Sequence, residues 1–226
     1  MKYSKFQKFI SYILKFLVVV CAIIGIFLSW YGGKDSFMGG THVFMYFTIQ
    51  SNIVIALISL IGMIYLMRNK VSKGWTILKF IGTVSITLTG VVFCFVLAPT
   101  LGKGAWAIQN ILTHVIVPAA AVLDYLVTGV KVNLKYKTAF WVIIPPILYA
   151  IYAGYGFVQK WEFSPGKNYP YFFLDWGSPL GAFGFGKELP FMGCAWWIAA
   201  LLVFLILVGM IYIAITKLLR VIFRIK

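Results

Sequence analysis

The sequence predicts an all-α integral membrane protein: a bundle of six transmembrane helices with both termini on the cytoplasmic side and a long outer loop between helices five and six. Three observations carry this: the share of apolar residues, the spacing of the apolar runs, and the placement of basic residues at their ends. Of 226 residues, 62% are hydrophobic and 11% are charged. Mean hydropathy is +0.95. Soluble domains carry about 25% charged residues. A chain this apolar has too little polar surface to face water, so the bilayer must be its solvent.

The apolar runs cover 10–30, 42–67, 75–98, 106–130, 139–157 and 191–215 and form a single transmembrane domain. Each is near the ~20 residues that cross the hydrocarbon core. The first follows Lys2, Lys5 and Lys8, as in a signal peptide. It exceeds a signal-peptide core of about 7–15 residues, and no small-residue cleavage site follows, so it reads as a retained helix. The fifth run contains Pro145-Pro146.

Net charge is +15, from 20 Lys and Arg against 5 Asp and Glu. Fifteen of the twenty basic residues fall at alternate ends of the runs, beside both termini and in the second and fourth connections. The others are Lys34, Lys103, Lys160, Lys167 and Lys187. This is the positive-inside pattern of a cell-membrane protein with cytoplasmic termini. No basic patch lies outside the short loops, which argues against nucleic acid as a partner.

Cys21, Cys94 and Cys194 form no CxxC pair and read as packing residues. The two histidines, His42 and His114, belong to no HxxxH or HExxH pattern. A catalytic zinc site usually takes three protein ligands, so no metal and no cofactor is expected.

Polar groups inside a bilayer are costly and turn toward the bundle interior. In the second run Thr41, Thr48, Asn52, Ile55 and Ser59 fall within about 40° of a common line, with Ser51 to one side. In the fourth, Asn110, Ala121, Tyr125 and Thr128 gather around His114. Both runs descend from the outer side, placing Thr48 and His114 at a similar depth, roughly 9–12 Å down. A hydroxyl and an imidazole at one level form a candidate nucleophile and general base. Asn52, or a backbone group freed where Pro118 breaks the helical bonding, is a candidate for holding an oxyanion. Ser51 and Asn110 are supporting candidates. The alternative is structural: membrane threonines bond their own helix or a neighbour.

Asp124 and Lys79 lie near the cytoplasmic ends of their runs and predict a charge pair. Asp175 lies in the outer loop, which reads KWEFSPGKNYPYFFLDWGSPLGAFGFGKELP. Its aromatic, Gly and Pro content suits either a lid over the bundle mouth or an interfacial anchor. As a lid it would bring Asp175 toward the imidazole as an orienting carboxylate.

The segments YFTIQSN, THVIVP, LDY and YPYFFLDWGSPLG, taken with helix number and order, resemble the androgen-induced-gene family of multipass proteins and its bacterial relatives. The resemblance spans most of the chain. It implies a threonine hydrolase of fatty acyl esters, with Thr48 as nucleophile and His114 as its partner. YFTIQSN is the form around the hydroxyl that the bacterial members carry. The expected function is therefore hydrolysis of a membrane lipid or fatty acyl ester. A non-catalytic lipid-binding or transport protein is the alternative.

Overall fold

The computed structural model describes residues 2–32 and 40–224. Lys34 and Lys226, both used in the charge count, lie outside the described residues. Six helices are long and apolar enough to cross a membrane: α1 (Lys5–Gly32), α2 (Phe47–Met67), α3 (Lys73–Leu101), α4 (Ile108–Gly129), α5 (Tyr136–Val158) and α6 (Cys194–Ile222). No strand occurs among the described residues, which hold only two isolated bridges. This is the architecture of a multipass membrane protein.

Local chemistry sets several helix ends. Asn69 adopts φ 48° after α2, and the Lys70 N–H then reaches back to the Tyr65 carbonyl. Asparagine tolerates this left-handed position better than most residues. Ser72 caps α3, its Oγ accepting from the Trp75 N–H at 3.4 Å. Thr41 lies in a 3-10 turn, Gly40–Met45, ahead of α2. It is exposed there, so it leaves the polar stripe to which its spacing assigned it.

Prolines shape the interior of three helices. The first part of α5, Tyr136–Ile143, is a 3-10 helix. Its α-helical part starts at Ile144, with Pro145 and Pro146 in the first turn, where a missing N–H costs nothing. Wide π turns occupy Phe93–Leu97 in α3 and Leu112–Ile116 in α4. Each ends two residues before a proline, Pro99 and Pro118. The proline ring clashes with the carbonyl four residues earlier, and a widened turn relieves that clash. Such turns often mark functional positions.

The bundle has the polarity that lipid demands. Lys15, Thr48, Ser51, Asn52, Thr83, Thr89, His114 and Asp124 are buried, while Phe16, Ile23, Leu60, Leu148, Val203 and Leu207 are exposed. One apolar core joins α1, α2, α3 and α4 through Val18, Ala22, Ile55, Ile86 and Val117. A second joins α3, α4, α5 and α6 through Phe80, Val84, Tyr125, Ala139 and Leu205. The α3 helix belongs to both and is the most deeply buried of the six.

Residues 159–193 fold onto one end of the bundle. The Tyr46 hydroxyl donates to the Phe163 carbonyl at 3.1 Å. Phe173 and Leu174 enter the second core, where Phe173 meets Trp197 of α6. The segment is thus packed against the helices by its aromatic side chains.

The candidate active site

The π turn of α4 carries His114, and the first turn of α2 carries Thr48. Their side chains meet: Thr48 Oγ1 lies 3.2 Å from His114 Nε2. Both residues are buried. The other ring nitrogen, Nδ1, lies 3.0 Å from the Asn110 carbonyl oxygen. A carbonyl only accepts, so Nδ1 carries the proton and donates it. Nε2 is then the bare nitrogen, able to accept from the Thr48 hydroxyl. Thr113 Oγ1 donates to the Gln109 carbonyl, which leaves it an acceptor 3.0 Å from Nδ1. Phe93 covers one face of the imidazole, with ring centroids 3.9 Å apart.

The other predicted site residues separate into those that reach Thr48 and those that do not. Asn52 donates through Nδ2 to the carbonyls of Thr48, at 2.8 Å, and Thr113, at 3.1 Å. Its amide therefore clamps α2 to α4, and with both N–H groups engaged it has none left for an oxyanion. Asn52 Oδ1 has no hydrogen-bond partner among the described residues. Ser51 donates to the Thr48 carbonyl at 3.0 Å and meets Thr89 Oγ1 at 2.8 Å. Asn110 supports the site through its backbone carbonyl, while its side chain bonds the Ala105 carbonyl.

The backbone group freed by Pro118 is the His114 carbonyl, an acceptor that cannot hold an oxyanion. It faces Gly90 of α3, where a Cβ would lie 2.8 Å from the oxygen. Only glycine lets α3 approach the π turn of α4 so closely. Asp175 accepts from the Gly177 N–H at 2.9 Å in a local turn. It makes no bond to His114, and the Asn110 carbonyl orients the ring in its place.

Tyr171, from the folded segment, is the site residue that sequence reasoning missed. Its hydroxyl accepts from the Thr48 N–H at 3.4 Å. Desolvation by burial pushes its phenol above the ordinary range, so it stays protonated and can donate. It is held by edge contact with Tyr46 and stacking on Phe173. The aromatic cluster YPYFFLD was the available signal, but nothing in its spacing singles out one tyrosine.

Two cavities meet at Thr48. A narrow apolar slot of about 60 Å³ lies between α2, α3, α5 and α6, lined by Phe47, Leu88, Val92, Tyr149 and Leu201. A wider cavity of about 630 Å³ lies on the His114 side. Thr48, Leu97 and Tyr171 belong to the walls of both.

Deeper in the bundle, Asp124 bonds Lys79 Nζ at 2.6 Å. It also pairs with Lys15 and accepts from Ser11 Oγ at 2.5 Å. The predicted pair is therefore a triad, and Lys15 is a buried partner as well as a marker of charge bias. Lys79 further donates to Thr128 Oγ1 at 2.6 Å. No cluster of three or more metal-ligating side chains occurs among the described residues. No family model, curated protein or solved structure matches the chain.

Proposed function

We propose that the protein is a membrane-embedded hydrolase of lipid esters, seated in the cell membrane with both termini cytoplasmic. The carrying observation is the contact between Thr48 Oγ1 and His114 Nε2 at 3.2 Å, with the tautomer set by the Asn110 carbonyl. A general base must lie about 2.6–3.2 Å from the proton it takes. The resemblance of YFTIQSN and THVIVP to the androgen-induced-gene family supports the same two roles. The orientation rests on the bias of basic residues, which puts residues 159–193 and the site on the outer side.

In the first step Thr48 Oγ attacks the acyl carbonyl and its proton passes to His114 Nε2. The bond to the leaving alkoxide breaks, and His114 returns the proton to it, leaving an acyl-threonine. In the second step water attacks the acyl carbon while His114 takes its proton. The acyl–threonine bond breaks and the proton returns to Thr48. Ester and water become acid and alcohol. The Tyr171 hydroxyl, protonated and beside Thr48, is the donor placed to steady the oxyanion.

Removing one oxyanion donor typically costs about 10²–10³ in kcat. Tyr171→Phe is expected to lower kcat by about that much while leaving KM within a few fold, measured on an activated lipid ester. An equal loss spread over kcat and KM would point to a packing role instead. A fluorophosphonate probe tests the nucleophile itself. It should label the purified protein on Thr48, read by peptide mass spectrometry, and fail on Thr48→Ala. The two cavities also suit a lipid-binding protein. Absence of labelling, with lipid co-purifying in stoichiometric amount, would favour that reading.

A further inference from the structure

The imidazole of His114 is buried with no carboxylate beside it. Among the described residues its ring nitrogens meet only Thr48 Oγ1, Thr113 Oγ1 and the Asn110 carbonyl. Asp175 is held in its own turn by the Gly177 N–H, and Asp124 is taken up by Lys15 and Lys79. In the proposed reaction His114 becomes an imidazolium each time it takes a proton. A charge inside a membrane bundle is costly unless something compensates it. A carboxylate would compensate it but would itself be a buried charge between turnovers.

The group set against the ring is Phe93. The two ring centroids lie 3.9 Å apart, with the planes inclined by 24°. Three features seat Phe93 there. It opens the π turn of α3, and His114 lies in the π turn of α4, so the two widened turns meet. Gly90 lies one helical turn before Phe93 and faces the His114 carbonyl, so the glycine that brings the helices together also brings the rings together. Trp106 meets Phe93 edge to face, at 5.8 Å and 86°, and holds its tilt. Phe93 and His114 retain 2% and 4% exposure, so the contact is largely desolvated.

The face of a phenyl ring carries partial negative charge and attracts a cation within about 6 Å of its centroid. Against a neutral imidazole the same face offers mainly dispersion. The stack is therefore stronger after proton transfer than before it, and contacts of that kind raise kcat. We propose that Phe93 is a positioning residue of the hydrolytic site, its ring face stabilising the imidazolium that forms when His114 takes the Thr48 proton. This rests on the hydrolase reading above. The phenyl face does what a carboxylate would do, without bringing a net charge into the membrane. A desolvated cation–π contact corresponds to a rate factor of about thirtyfold, or about 2 kcal/mol at about 1.4 kcal/mol per tenfold.

The test uses the full chain in nanodiscs with a p-nitrophenyl acyl ester as substrate. Phe93 is replaced by 4-fluoro-, 3,4,5-trifluoro- and pentafluorophenylalanine through nonsense suppression. Successive fluorines drain the ring face of negative charge while its shape changes little. The expected result is a stepwise fall in kcat, reaching about thirtyfold at the pentafluoro ring, with KM within about twofold. Phe93→Leu, which deletes the ring, should lose at least about tenfold in kcat. A packing role alone predicts a flat fluorinated series, because each ring still fills the site. Thermal unfolding confirms that each variant is folded, and the two lighter fluorinated variants carry the test if the pentafluoro protein is not. If kcat is flat across the series, or Phe93→Leu keeps the wild-type value, the role of Phe93 is overturned and the hydrolase stands. If the wild-type protein does not turn over the activated ester, both fall.

Discussion

Thr48→Ala and His114→Ala are each expected to reduce turnover of a lipid ester to background, with the double variant losing no more than the weaker single variant. In the proposed mechanism the two side chains act as one unit across a 3.2 Å contact. Thr48→Ala would remove the proposed nucleophile. Without His114 the hydroxyl keeps its proton, and a positioned base is typically worth about 10²–10⁴ in rate. Groups that work together show strong non-additivity when removed together. Thr48→Ser keeps the hydroxyl and should retain activity within about tenfold. The measurements are steady-state kcat and KM on purified protein, with thermal unfolding to confirm that each variant is folded. Wild-type turnover in both alanine variants would end the proposed mechanism. Strictly additive losses would mean the two residues act separately.

Asp124→Ala is expected to produce the largest loss of stability in the molecule. Lys15 and Asp124 each retain only 2% exposure, and Asp124 is the acidic partner of both Lys15 and Lys79. Removing one member of a buried ion pair typically costs about 3–5 kcal/mol, because the remaining charge is left uncompensated. Here two lysines lose their counter-ion together. The loss should appear as a fall in apparent Tm in detergent and as poor yield from membranes. A triple variant, Asp124→Leu with Lys15→Met and Lys79→Met, removes all three charges and should recover most of that loss. Replacing buried charges by apolar groups of similar volume is often neutral or stabilising. An Asp124→Ala protein as stable as the wild type would show that the triad contributes little to the fold.

The triad also shows how far residue positions can be read alone. Asp124 and Lys79 are predicted partners because both lie near the same ends of their runs. Lys15 had the same standing as a basic residue close to a helix end, and nothing local separated it from a residue facing lipid headgroups. Its inward direction depends on the α1–α2 contact. There Gly62 leaves room for its stem, and a Cβ would lie 2.9 Å from Lys15 Cε.

Apolar run length, basic run ends and helical periodicity were sufficient for six helices with inward-facing polar stripes and for Thr48 and His114 at one level. Those properties belong to single helices, so one-dimensional information carries them. Helix packing decided the rest. The π turn ahead of Pro118 sets the direction of His114, and Gly90 sets how near α3 comes to that turn. Asn52 was expected to meet an oxyanion but binds two carbonyls instead, because α2 and α4 lie close enough to share its amide. Tyr171 reaches Thr48 because Tyr46 and Phe163 hold a segment more than a hundred residues away in sequence. Such contacts join helices and loops whose spacing no periodicity encodes, and only tertiary packing sets them.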